Sequence, residues 1–164
     1  MNVKTFNVFL RHNDWADGEL LRAAASTTDA QLDQSFDMGR GSLRKTMLHI
    51  HAGEHVWLRR WMGQTETPWP NEEEKVSIAA LADRFTAARS ERASFLKGLG
   101  DGDLDRPIAY RDSFGGLFEA TLGDMIVQMI LHSTHHRAQA VNMLRRLGTK
   151  PPELDYMMWV RKPK

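Results

Sequence analysis

Apolar residues recur at spacings of three and four over four long stretches of this chain, the pattern of helices that each bury one face. The first stretch predicts a helix from about Thr5 to Ala25. Its stripe runs through Phe6, Phe9 or Leu10, Asn13, Ala16 or Asp17, Leu20 and Ala24, with Trp15 beside it. Two threonines and then Asp29 through Asp37 read as a connector with at most a short turn. A second helix is expected from Ser42 to Met62, with Ser42 as N-cap and Gly63 as C-cap. Leu43, Met47, Ile50, Trp57 and Trp61 form its stripe, and Glu54 interrupts it with a charge. Residues 64 to 76 form a linker, because Pro68-Trp69-Pro70 bars helix and Glu72 to Lys75 is a run of charges. Ser77 then caps a third helix to about Leu99, with Ile78, Leu81, Phe85, Ala88 and Phe95 on its apolar side.

Pro107 to Ala120 breaks the helical period, and two short runs flank Gly115-Gly116, as in a small hairpin or extended flap. Thr121 caps a fourth helix to Leu147, which stops at Gly148. The tail from Pro151 carries Tyr156, Met157, Met158 and Trp159 and is apolar enough to pack back on the body. Four amphipathic helices with polar links predict an all-α, antiparallel four-helix bundle forming one domain over residues 1–164.

The fourth stripe, Leu122, Met125, Met129, His132, His136, Met143 and Leu147, places two histidines in an apolar seam. Residues i and i+4 stack on one helix face, so the two imidazoles can share one metal ion. The alternative is a pair of core histidines held by hydrogen bonds. A metal needs a further ligand from another helix, and the second helix offers His49, His51 and His55. The pattern leaves that choice open: its main stripe lies nearer His51, while His49 borders Gly53 and Val56, a face suited to close helix approach.

Composition narrows the chemistry. The chain has 164 residues and no cysteine, which removes disulfides, thiolate metal sites and cysteine nucleophiles. Its net charge is +1 with both signs interleaved, unlike the basic stripe of a nucleic-acid binder. No apolar run has membrane-spanning length and the N-terminus lacks the pattern of a secretion signal, so a cytoplasmic location is expected.

Ser42 to Ile50, followed by Glu54 and Trp57, resembles the second-helix signature of the DinB/YfiT-like metal-binding four-helix bundles. His132 through Gln139 resembles that family's fourth-helix signature. The likeness covers essentially the whole chain, including Trp15 and the tail Leu154-Asp155-Tyr156. Ala138 stands where the family usually has glycine, and Asp17 where it often has asparagine.

The resemblance implies His49, His132 and His136 as ligands of nickel or zinc, with remaining positions open to water or substrate. It therefore selects His49 over His51, against the plain periodicity. It also implies an enzyme acting on a small molecule, either by transferring a low-molecular-weight thiol or by hydrolysis; without a cysteine in the chain, such a thiol would be a cosubstrate. A homodimer fits both the resemblance and the surplus of apolar helix faces. Arg137 is a candidate anchor for a substrate carboxylate, the alternative being an ion pair. Glu54 is a candidate for proton transfer, the alternatives being an ion pair or a solvated edge. The other function class is a non-catalytic, stress-associated metal-binding protein. His12, His51, His55 and His135 read as surface, partly exposed or supporting residues.

Overall fold

The computed structural model describes residues 2–163. Six helices and one hairpin appear in the order α1 (Val3–Ala24), α2 (Asp29–Leu32), α3 (Leu43–Trp61), α4 (Ile78–Leu96), β1 (Pro107–Arg111), β2 (Leu117–Thr121), α5 (Leu122–Arg146) and α6 (Tyr156–Val160). A 3-10 turn at Asp101–Asp105 precedes β1. The helix starts follow side-chain capping. Ser42, Ser77 and Thr121 each accept a hydrogen bond from the backbone N–H three residues on, satisfying a donor that the first turn leaves orphaned. Gly63 and Gly148 follow the C-caps of α3 and α5 with φ of +81° and +75°, a conformation that costs an L side chain energy.

The four long helices form a ring in which α1 and α3 each lie between α4 and α5. α3 and α5 run antiparallel, since Thr46 meets Met143 while Gly53 meets His132. α1 and α4 are also antiparallel, with Asp14 beside Arg92 and Gly18 near Ala82. The other two neighbouring pairs are parallel. Phe6 meets Gly123 and Asp17 meets Arg137 between α1 and α5, while His51 meets Phe85 and Trp61 meets Phe95 between α3 and α4. The expected bundle is present, but two of its four contacts depart from antiparallel order. The departure has a consequence for the linker. Parallel α3 and α4 must be joined by a chain that returns the length of α3, about 28 Å at 1.5 Å per residue. Residues 62–77 make that return, and so cross the outside of the bundle.

Two apolar clusters fill the interior. One gathers Leu20, Met47, Ile50, Leu81, Phe85 and Leu144; the other gathers Phe6, Trp61, Leu122, Met125, Ile126 and Met129. Between them lies a polar layer containing Asn13, Asp17, Glu54, Arg92 and Arg137, all buried. The hairpin pairs Pro107 with Thr121 through Arg111 with Leu117 in antiparallel register. The expected short turn after α1 is the single-turn α2, closed by a capping box between Thr28 and Gln31. The tail packs back through α6: Tyr156 and Trp159 lie against His12, with ring centroids 5.3 and 5.8 Å away. His12 is accordingly half-buried, not a surface residue, and its Nε2 bonds the Leu154 carbonyl at 3.1 Å. No helix among the described residues is long and apolar enough to cross a membrane.

Candidate metal centre

Antiparallel packing of α3 on α5 brings together three imidazoles from distant parts of the sequence. One nitrogen from each of His49, His132 and His136 lies within 4.8 Å of the others. The ring centroids are 4.8 Å apart for His49 and His132, 4.3 Å for His49 and His136, and 4.6 Å for His132 and His136. His49 Nε2 and His132 Nε2 are 3.1 Å apart. Two nitrogens bound to one zinc at about 2.1 Å would be separated by roughly 3.0–3.4 Å for coordination angles between square and tetrahedral. The cluster therefore has the dimensions of a single-ion site.

The close approach depends on Gly53. A Cβ there would lie 2.5 Å from His132 Cε1 and 2.6 Å from His132 Nδ1. The His132 ring occupies the space that any other residue on α3 would fill. α3 thus has two buried sides, one against α5 and one against α4. His51 faces the second, with its ring 5.2 Å from Phe85. This is why its periodicity suggested an inward position without making it a ligand. His55 stacks beside it, and His135 is exposed on α5.

The outer nitrogens of His49 and His136 are held by Glu72 and Gln139, and of these the sequence pattern did not single out Glu72. Glu72 Oε1 accepts from His49 Nδ1 at 2.6 Å and also from the Trp69 indole N–H. Glu72 Oε2 accepts from Arg40 Nε at 2.9 Å. Burial raises the Glu72 carboxyl, but the hydrogen bonds from His49, Trp69 and Arg40 outweigh it and bring the pKa down to about 2. An ionised Glu72 fixes the proton of His49 on Nδ1 and leaves Nε2 as the donor toward the cluster. On α5, Gln139 Oε1 accepts from His136 Nδ1 at 2.7 Å, with the same result. Gln139 belongs to the fourth-helix signature; Glu72 lay in an apparently solvated charge run. Its burial, at 9 % exposure, follows from the crossover passing over α3, which no local pattern encodes.

His132 Nδ1 is buried with no hydrogen-bond partner among the described residues. Burial, followed by the neighbouring His136, His49 and His135, pushes the His132 pKa down to about 4. Burial also leads the downward shift of His136. Neutral imidazoles that present lone pairs to a common point are the donor set a divalent ion requires.

Arg137 and Glu54 are placed away from the roles considered for them. Arg137 is 3 % exposed. Its Nη1 donates to Asn13 Oδ1 at 2.7 Å and Asp17 Oδ1 at 2.8 Å, and its Nη2 donates to Thr134 Oγ1 at 2.9 Å. Glu54 accepts from Asn13 Nδ2 at 2.5 Å and Arg92 Nη1 at 3.1 Å. For both residues the ion-pair alternative describes the observed contacts. Asp17 lies beside Glu54 in this layer. Burial, opposed by Arg137 and reinforced by Glu54, raises its pKa to about 8. Arg137 follows His136 by one residue, about 100° round α5, and this turns it toward α1.

Comparison with known proteins agrees with this architecture. The sequence pattern of the DinB family matches residues 1–162. Protein DinB of Bacillus subtilis (strain 168) is 19% identical over 156 residues, covering 91% of this chain and 90% of that protein. The crystal structure of a DinB-like protein from Bacillus cereus ATCC 10987 superposes with a TM-score of 0.68 at 22% identity, covering 88% of this chain and 94% of the other. YfiT from Bacillus subtilis superposes with a TM-score of 0.69 at 16% identity, covering 89% of each chain. That protein is described as "a probable metal-dependent hydrolase with an unusual four-helix bundle topology".

Proposed function

Because the chain belongs to the DinB family, we propose that it is a metal-dependent enzyme for a small molecule, with one divalent ion held by His49, His132 and His136. Nickel and zinc both suit three neutral imidazoles with open coordination positions. The observation that carries the reading is the convergence of three imidazole nitrogens, two of them oriented from behind by Glu72 and Gln139. Such an ion lowers the pKa of a bound water or thiol, and so supplies a nucleophile near neutral pH.

The protein's own residues prepare that position. Glu72 and Gln139 hold the tautomers of His49 and His136, Gly53 admits the His132 ring, and Trp69 lies over the cluster with its ring 5.1 Å from His49 and 6.3 Å from His132. The reaction is transfer of a cosubstrate thiol onto an electrophile, or hydrolysis; YfiT's description favours hydrolysis, while the absence of cysteine is compatible with either. One observation favours a metal-binding protein without catalysis. Both Glu72 oxygens and both Glu54 oxygens are already bonded, so neither carboxylate is free to accept a proton. A homodimer is supported by the apolar patch on α1 and α5, where Phe9 and Leu131 are exposed.

The deciding experiment is elemental analysis of the purified protein, followed by thiol–electrophile and ester-hydrolysis assays of the metal-loaded form and of His132→Gln. One equivalent of metal, with turnover lost in the variant, is expected. Stoichiometric metal with no turnover in either assay favours the non-catalytic reading, and no metal rejects both.

A further inference from the structure

Four arginines are buried in this protein: Arg44, Arg60, Arg92 and Arg137. Three lie at ion-pair distance from a carboxyl group. Arg44 pairs with Asp29 and Asp33, Arg92 with Asp14 and Glu54, and Arg137 with Asp17. Arg60, at 8 % exposure, has no carboxylate within ion-pair distance among the described residues, and the Asp112 carboxylate acts on it only from farther off. A buried guanidinium with no carboxylate in direct contact is costly to desolvate, and an anion bound against it would offset that cost.

Arg60 is also rigidly aimed. Its guanidinium carbon lies 4.5 Å from the Trp57 ring centroid and 4.8 Å from that of Tyr110. One Nη2 hydrogen bond goes to the Arg111 carbonyl at 2.8 Å, which leaves most of the five donors unused. Arg60 lines a cavity of about 340 Å³ between α3, the crossover and the hairpin, walled also by Thr65 and Trp69 and by two residues of each sign, Arg111 with Arg60 and Glu66 with Asp112. The polar neighbours there are otherwise engaged. Arg111 donates to Glu66 Oε1 at 3.1 Å and the Gly115 carbonyl at 3.0 Å, while Asp112 Oδ1 accepts from the backbone N–H groups of Phe114 and Gly116.

The cavity adjoins the histidine cluster. His49, Gly53, Val56 and Arg60 fall within about 60° of one another around α3, at roughly 100° per residue. Arg60 lies about 16 Å beyond His49 at 1.5 Å per residue. Trp69 is the shared wall, since it lines the cavity and contacts the rings of His49 and His132.

We propose that this cavity is an oxyanion-binding subsite in which Arg60 anchors the carboxylate or phosphate tail of a small molecule. The subsite stands on the cavity and on an arginine that no carboxylate contacts directly. That its ligand is the substrate of the histidine cluster rests on the metal-dependent reading above, and implies an elongated substrate with its anionic tail remote from its reacting end. The fork of Arg60 suits bidentate contact with either anion, and the two aromatic rings hold the plane ready for it.

The test uses chelator-treated full-length protein titrated with succinate and, separately, with inorganic phosphate, followed by tryptophan fluorescence and calorimetry. Saturable binding of at least one probe is expected, and the stronger of the two identifies the tail. Arg60→Gln should weaken it at least tenfold, Arg60→Lys should fall between, and Thr65→Trp, which fills the cavity without touching the cation, should abolish it. Metal stoichiometry should be unchanged in all three. His132→Gln should lose metal and keep the anion, so that failure of the metal reading leaves this result intact. Circular dichroism identifies any variant that has not folded, and Thr65→Trp then stands in for Arg60→Gln. No saturable binding by wild type, or equal binding by Arg60→Gln and wild type, overturns the proposal.

Discussion

His132 packs the Cε1–Nδ1 edge of its ring against Gly53, so closely that a Cβ on residue 53 would stand 2.5 Å from its Cε1. A glycine inside a helix costs about 1 kcal/mol relative to alanine, and here that cost gives an imidazole its place. Gly53→Ala should therefore strengthen α3 locally while pushing His132 out of the cluster. The expected outcome is normal helix content with metal affinity reduced at least tenfold, read by competition with a chromogenic chelator. Unchanged affinity would show that the ring rotates clear at no cost.

Glu72 should matter to the metal although it does not contact it. Removing a residue that orients a metal-bound histidine typically costs 10–100-fold in affinity. Glu72→Ala is expected to fall in that range, whereas Glu73→Ala, whose exposed side chain pairs only with Lys45, should bind metal as wild type does. Equal effects of the two substitutions would remove Glu72 from the site.

Arg137 and Asp17 should behave unequally. Arg137→Ala leaves the buried Asp17 carboxyl without the guanidinium 2.8 Å from it, and should destabilise the protein by about 3–5 kcal/mol in urea unfolding. Asp17→Asn mimics the protonated carboxyl that the site favours at neutral pH, and should cost less. Both variants should retain metal per folded molecule. Weakened turnover in Arg137→Ala with unchanged stability would instead restore it as a substrate anchor.

The metal-free protein should lose stability in mild acid. The His132 pKa is lowered from 6.5 to about 4 by burial and its histidine neighbours, so between those values the unfolded chain binds a proton that the folded one does not. Stability from this group is full above pH 6.5 and is lost as pH falls to about 4. His12, His51, His55 and His136 shift in the same direction. Urea midpoints of the chelator-treated protein should fall over this window, and His132→Gln should show a shallower fall. Parallel profiles for the two proteins would refute the assignment.

Local pattern was enough for the helices, because caps and stripes act within a few residues: Ser42, Ser77 and Thr121 mark the starts, and Gly63 and Gly148 the stops. It was also enough to pair His132 with His136, which share a helix face by backbone geometry alone. The choice of His49 over His51 came from resemblance. Two positions about 200° apart on a helix can both be buried when that helix has neighbours on two sides, and only the packing of α3 between α5 and α4 assigns each its partner. Glu72 is the clearest case of what tertiary structure decided. In sequence it is one acid in a charged run; in the fold it is buried behind His49, because the crossover between two parallel helices must pass there. Arg60 and Arg137 make the same point for charge. Composition balances the chain at +1, but which arginine finds a carboxylate and which faces a cavity depends on contacts between residues dozens of positions apart, which no local pattern records.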